Sequence, residues 1–456
     1  MPDAFMGIDI ASRALRAFQL ALNVTGHNLA NVETEGYSRQ RVNMQQTPPV
    51  TFFGLKPLTM GTGMFVDTVE RIRDKFLDGR FLETNYEGGR LKQMFATLSN
   101  IEATFQEPGE GGIHHAMNGM FDAWSKLSAN PADEASRLNV RLNAQLFVQR
   151  VKDFNSQFIQ QDKSLNTEVV ATIDEINNLG VRVADLNEEI RKIFGTGAQP
   201  NDLLDQRDLL IKKLTDFVDL RTVDHPDGSK SVYIGSHALV DPTGANDLPS
   251  DYDAASSTIT DGTNTIQIRS GKLAGLFGSI VAVESYKDQL DALVNEVRTQ
   301  TNALHSTGIN LNGTTGIDFF AGTAGAGDLD LTQEVKDDLR NIAAGVSGEP
   351  GDGGLASSMA AIRDTQYANL GNRSPIEYFS DAISRLGQES AYYRNSVTTQ
   401  DAILEQIDQQ RQSVMGVNMD EELSNMMRYQ RSYQAAARFL SILDQTTEEL
   451  ITQFGR

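Results

Sequence analysis

The chain has 456 residues, 39% of them hydrophobic and 22% charged, which allows two to four domains with real cores and argues against wholesale disorder. A net charge of −21 and a pI near 4.7 argue against nucleic acid and anionic membrane surfaces as partners, since both need clustered Lys and Arg. There is no cysteine, so disulfides, thiolate nucleophiles and thiolate zinc sites are excluded.

The N-terminal pattern predicts a helix over about residues 3–32. Ile8, Leu15, Leu22 and Leu29 repeat every seven residues, with a companion column at Ala4, Ala11, Phe18, Thr25 and Val32. A 4-3 apolar spacing is the seam of a coiled coil. Met1 to Gln19 lacks a basic stretch followed by an apolar one, and no run of 18 apolar residues occurs. The expectation is a protein that is cytoplasmic or leaves without a cleaved signal, and that inserts in no membrane. Gly36 ends the helix, and Pro48, Pro49, Gly54, Pro57, Gly61 and Gly63 predict an extended, turn-rich segment. Helical pattern returns near Arg71, and a loop is expected at 107–112.

Pro is absent from Ala132 to Gln199, where Leu165, Val169, Thr172, Ile176, Leu179 and Val183 open an unbroken 4-3 stripe that runs to Ile193. Similar stripes run from Leu276 to Leu304 and from Ile376 to Val414. Long stripes joined by long excursions predict an elongated helical bundle. Leu220 to Arg269 holds short β-like runs at 220–223, 231–234 and 265–268, read as a small β domain. Residues 306–354 are Gly-rich and read as irregular, around a short helix near Glu334–Ala344. At the C-terminus Met419, Met426, Tyr433, Leu440, Thr447 and Phe454 repeat every seven residues, with a companion column at Leu423, Gln430, Ala437, Asp444 and Ile451.

The fold class read from these patterns is mainly α with a small β insert. The terminal coiled-coil helices pair as one domain (1–40 with 416–456). An elongated bundle spans 41–215 with 272–415, and an outer β domain spans 216–271. Residues 1–50 carry four Arg and four acids, and residues 420–456 carry six acids and four Arg, so −19 of the −21 lies between them. Near-neutral ends suit packing in bulk. The expected assembly interface is Ile8, Leu15, Phe18, Leu22, Leu29, Met426, Tyr433, Leu440, Ile451 and Phe454. Isolated terminal helices would be marginal, so they are expected to order on assembly; Leu22→Asp is expected to block it.

No catalytic set stands out. His27, His114, His115, His225, His237 and His305 are scattered, and adjacent His114 and His115 share no helix face and no metal-ligand spacing. Ser270-Gly271-Lys272 lacks the upstream Gly of a phosphate loop, and Gly327-Asp328-Leu329-Asp330 does not meet a calcium-loop pattern. Trp124 reads as core, and Tyr429 with Tyr433 as helix packing. No cofactor is expected.

The segment Asn28-Leu29-Ala30-Asn31-Val32-Glu33-Thr34-Glu35-Gly36-Tyr37-Ser38-Arg39-Gln40 resembles the N-terminal signature of the bacterial flagellar rod and hook axial proteins, roughly N-x-x-N-x-x-T-x-G-[YF]. Its continuation Tyr37-Ser38-Arg39-Gln40 looks most like the hook–filament junction members. Asn418, Tyr429, Gln430, Tyr433 and Gln434 stand in a C-terminal stretch, Gly416 to Ala437, similar to the same family. Asn130-Pro131, Asn201 to Asp208 and Asn302 to His305 agree, so the resemblance spans essentially the whole chain. His27 and Glu33 depart from it, where small or amide residues are usual.

The resemblance implies a non-enzymatic structural adaptor that is secreted through the flagellar type III export channel and assembles at the distal end of the hook. Implied partners are copies of itself in a helical or ring lattice, the hook protein, the second junction protein, an export chaperone and the export apparatus. Alternatives are another axial protein (second junction protein, hook protein or flagellin), a cytoplasmic coiled-coil scaffold, or an enzyme carried on an axial scaffold.

Overall fold

The computed structural model describes residues 2–52, 58–105, 109, 111–262 and 264–454. Gly54, Pro57, residues 107, 108 and 110 of the 107–112 loop and the side chains of Ala4 and Phe454 lie outside the described residues. Ten α-helices carry most of the described chain: α1 Pro2–Ala30, α2 Lys75–Phe105, α3 Ile113–Ala129, α4 Glu134–Phe194, α5 Asn201–Phe217, α6 Gly271–His305, α7 Gln333–Asp337, α8 Gly354–Ala361, α9 Pro375–Met415 and α10 Met419–Phe454. Strands are short: β1 Gln40–Gln46, β2 Val50–Phe52, β3 Leu58–Met60, β4 Met64–Arg71, β5 Arg221–Asp224, β6 Lys230–Ile234, β7 His237–Asp241, β8 Gly244–Ala245, β9 Tyr252–Asp253, β10 Thr258–Asp261, β11 Asn264–Gln267, β12 Phe320–Ala321 and β13 Asp330–Leu331. The protein is mainly helical with small sheets.

Local chemistry sets the boundaries. At the start of α9, Ser374 Oγ accepts from Glu377 N (3.3 Å) and the Glu377 carboxylate accepts from Ser374 N (2.9 Å). This is a reciprocal capping box, with Pro375 at the first helical position, where no N–H is missed. Asp133 caps α4 by accepting from Ser136 N (2.9 Å), and Asn418 caps α10 by accepting from Asp420 N (3.0 Å).

The chain forms two compact units. The first comprises Met1–Glu87, Glu175–Leu248 and Gln400–Arg456; the second comprises Gly88–Asp174 and Pro249–Thr399. In the first, α1 packs on α10 and across β1 and β4. β1 and β4 pair antiparallel from Gln40 opposite Arg71 to Gln46 opposite Met64, with an irregularity at Asn43/Met44. The strands β5-β6-β7-β8 form an antiparallel meander, tied to α4 by Asn187, whose amide donates to Lys230 O (2.8 Å) and accepts from Lys230 N (3.0 Å).

In the second unit, β9, β10 and β11 make a separate three-stranded sheet. Its core holds Trp124, Phe319 and Phe320, all about 1% exposed or less, with Trp124 and Phe319 rings 5.1 Å apart. His305 joins them. Its Nε2 accepts from Ala343 N (3.0 Å) and its Nδ1 meets Ile317 O (2.7 Å). Burial pushes this imidazole down to about 4 and keeps it neutral.

Three sequence expectations are corrected. The helical pattern placed near Arg71 begins at Lys75, because Arg71 still pairs in the β1–β4 ladder. The short helix near Glu334–Ala344 is one turn, Gln333–Asp337, followed by a 3₁₀ turn at Leu339–Asn341. The strands read as one insert form two sheets that, among the described residues, share no strand pairing.

Candidate functional site

The candidate site is the pair of terminal helices and the segment that follows α1. Two contacts fix the pairing. A Cβ on Gly7 would meet Leu443 at 2.9 Å, and Asn28 Nδ2 donates to Glu422 Oε2 at 3.0 Å. Positions 7 to 28 on α1 therefore run against 443 down to 422 on α10, an antiparallel pair in constant register. Apart from Asn28, the deepest side chains on α1 are small: Ala11, Ala17, Ala21 and Thr25 are each 3% exposed or less. Small residues let α1 lie close to its neighbours. The larger Ile8, Leu15, Phe18, Leu22 and Leu29 are half-buried.

On α10 the half-buried positions are Asn425, Met426, Tyr429, Ser432, Tyr433, Ala436, Ala437, Leu440, Leu443 and Thr447, continuing from buried Glu422. The first column read from the sequence, through Met426, Tyr433 and Leu440, lies on this seam. Its second column is Tyr429, Ala436 and Leu443; of the expected companions Ala437 is half-buried, whereas Leu423, Gln430, Asp444 and Ile451 are exposed. Ile451 is 66% exposed for a geometric reason. In the register set by Gly7 and Asn28, α10 beyond about residue 448 overhangs the start of α1.

Past α1 the chain turns at Gly36, where φ is +81 and a Cβ would sit 3.1 Å from Leu209, so a side chain is strained and crowded there. The signature residues converge behind that turn. Asn28 is 1% exposed. Its Nδ2 donates to Gln40 O (2.9 Å) as well as to Glu422, and its Oδ1 accepts from Gln40 N (2.9 Å) and Tyr37 Oη (2.7 Å). Asn31 Oδ1 accepts from Thr34 Oγ1 (3.1 Å), tightening the same turn. Arg39 donates from Nε to Glu422 (2.9 Å) and from Nη1 to Glu421 (2.9 Å), while its backbone N–H reaches Met415 O (3.0 Å). Gln40 Nε2 donates to Asp202 (2.9 Å). Of the C-terminal signature, Asn418 caps α10 and Tyr429 and Tyr433 lie on the seam, whereas Gln430 and Gln434 face solvent.

The network continues into α5, through residues the sequence quoted without a role. Asp205 accepts from Ser38 N (2.9 Å) and Ser38 Oγ (2.7 Å), and from Arg71 (2.7 Å). Burial pushes the Asp205 carboxyl up, against the pull of Arg71 and Ser38. Asp208 receives Arg71 (3.0 Å), Arg73 and Lys230 (3.3 Å). Burial alone would raise it, but Lys230, Arg73 and Arg71 together hold it well below the usual carboxylate range. Arg73 and Arg411 both reach Asp78 (2.8 and 2.9 Å). Sequence reading missed Asp205, Asp208, Arg71, Arg73 and Glu422; the one available signal was the acid pair at i, i+3 in Asp205-Gln206-Arg207-Asp208.

This arrangement is a clamp between chain ends. Its carboxylates Asp205, Asp208 and Glu422 each meet an arginine, and among the described residues no three His, Asp or Glu side chains converge as a metal site. Also among them, no helix is long and apolar enough to cross a membrane.

Residues 8–37 match the family model for flagella basal body rod protein. Residues 98–320 match that for the flagellar hook-associated protein FlgK helical domain, and 408–453 that for the flagellar basal body rod FlgEFG protein C-terminal region. Flagellar hook-associated protein 1 of Bacillus subtilis (strain 168) is 29% identical, covering 100% of this chain and 99% of that one. The Escherichia coli (strain K12) protein of the same name is 24% identical, covering 97% and 99%. In fold, the chain is similar to the flagellar hook junction protein FlgK from Burkholderia pseudomallei, with a TM-score of 0.64 and 15% identity, covering 74% of this chain and 100% of that one.

Proposed function

Because the chain belongs to the family of flagellar hook-associated protein 1, we propose that it is a non-enzymatic subunit at the distal end of the hook, joining hook to filament by polymerising through its terminal helices. A structural role in the flagellum follows from that membership. One observation carries the finer reading. The α1–α10 pair leaves large apolar side chains in solvent on its outer face, with Met427 56%, Phe439 46% and Ile442 61% exposed. Large exposed apolar side chains on a paired helix suit burial against another protein surface. On this reading the pair docks on copies of the same chain in a ring or helical lattice. The hook protein lies on one side and the second junction protein on the other. An export chaperone and the type III apparatus handle the chain before it is secreted. The match of 98–320 to the hook-associated helical domain favours the junction role over hook protein or flagellin.

The test is electron microscopy of a strain lacking this gene, with flagellin measured in the medium. Hooks without filaments, plus flagellin monomers outside the cell, are expected. Absent hooks would make the protein a rod or hook component, and normal filaments would overturn the reading.

A further inference from the structure

The terminal helix pair carries its charge in bands. Arg428, Arg431 and Arg438 lie mid-way along α10, and the antiparallel register sets Arg13 and Arg16 of α1 beside the same stretch. Acid gathers toward the end of α10 as Asp444, Glu448 and Glu449. All of these side chains are exposed, and none forms an ion pair within the chain among the described residues. At the opposite end of α10, Glu421 and Glu422 are already taken by Arg39, leaving Asp420.

Arg431, Arg438, Ile442 and Glu449 share one outward face, because steps of 7, 11 and 18 residues are close to two, three and five whole turns. Within one molecule Arg438 and Glu449 stand about 17 Å apart along the axis, and Arg431 and Glu449 about 27 Å, too far to pair. Two copies side by side in the same direction without offset would set arginine band against arginine band. Such like-charge contacts are penalised at an interface.

We infer that neighbouring copies dock with parallel axes offset by roughly 17 to 27 Å, so that the arginine band of one meets the Asp444–Glu449 end of the next. Ile442, between the two bands, supplies the apolar contact. Two different patches of one chain meet with an axial shift, so the contact is heterologous and propagates into a helix instead of closing as a dimer. This register rests on the terminal helices being the assembly surface, and it specifies their partner face.

The test reverses the bands in turn, in a strain carrying the full-length variant as its only copy. Arg431→Glu with Arg438→Glu is expected to reduce filament-bearing hooks about tenfold at equal exported amounts. Adding Glu448→Arg and Glu449→Arg to that chain is expected to restore most of them. Normal assembly of the first variant, or no rescue by the fourfold one, overturns the register. Should a variant be exported poorly, cross-linking of the purified wild-type chain decides: self-association that weakens with salt is expected, and salt-independent association overturns the proposal. If Ile442→Asp also assembles normally, the failure lies in the assembly reading itself and not in the register.

Discussion

Asn28 shows how much one side chain carries here. It satisfies both backbone groups of Gln40, the Tyr37 hydroxyl and the Glu422 carboxylate at once. Asn28→Ala would strand those partners in a buried site, where each unsatisfied group costs about 1–3 kcal/mol and a charged one more. The expected loss is about 3 kcal/mol, read as a lower denaturant midpoint with an unchanged slope. A loss below about 1 kcal/mol would mean that water replaces Asn28, and the clamp is weaker than its geometry. Asn28 was legible as a motif residue, but its partner Glu422, 394 positions away, was not. Nor were Arg71 and Arg73, because a charge at a strand end has no period to betray it.

At the scale of elements, the helical stripes were legible because burial in a helix leaves a 4-3 trace. Leu165, Val169, Ile176 and Val183 on α4, and Leu276, Val283, Leu290 and Val297 on α6, are buried as the spacing predicts. The companion column on α10 misled for a physical reason. α10 carries apolar residues on its seam and on its outer face, and hydrophobicity cannot tell a seam within the chain from a surface awaiting another molecule. The strands of 216–271 hid their division into two sheets because runs of two to five residues fix no register by pattern alone. The expected ordering of the termini on assembly is proposed to be graded along α1. The second half of α1 ends in the Asn28 clamp, while the first half rests on α10 and on Ile10 against Gly63. Hydrogen exchange on the free chain is therefore expected to protect Ala21–Asn28 and to leave residues before Ala11 open. Uniform strong protection across 5–30 would show that α1 is ordered before any partner arrives.

For the whole molecule, folding and assembly draw on different side chains, and that separation can be tested. The folded chain uses Ala11, Ala21, Asn28 and Leu443, which face inward. The proposed lattice uses Met427, Phe439 and Ile442, which a single chain leaves in water. Ile442 is 61% exposed, so Ile442→Asp removes little buried area. It should shift unfolding by no more than about 0.5 kcal/mol, the range of ordinary surface substitutions. In a neighbouring subunit's contact the same carboxylate would replace an apolar contact and be desolvated, a cost that nearby arginines offset only in part. Ile442→Asp is therefore expected to fold and leave the cell like wild type yet fail to support filaments, whereas Asn28→Ala fails first in stability. Loss of stability in Ile442→Asp would place that side chain inside the fold of the single chain. Normal filaments would remove the outer face of α10 from the assembly and leave the clamp as a device for holding one chain's two ends together.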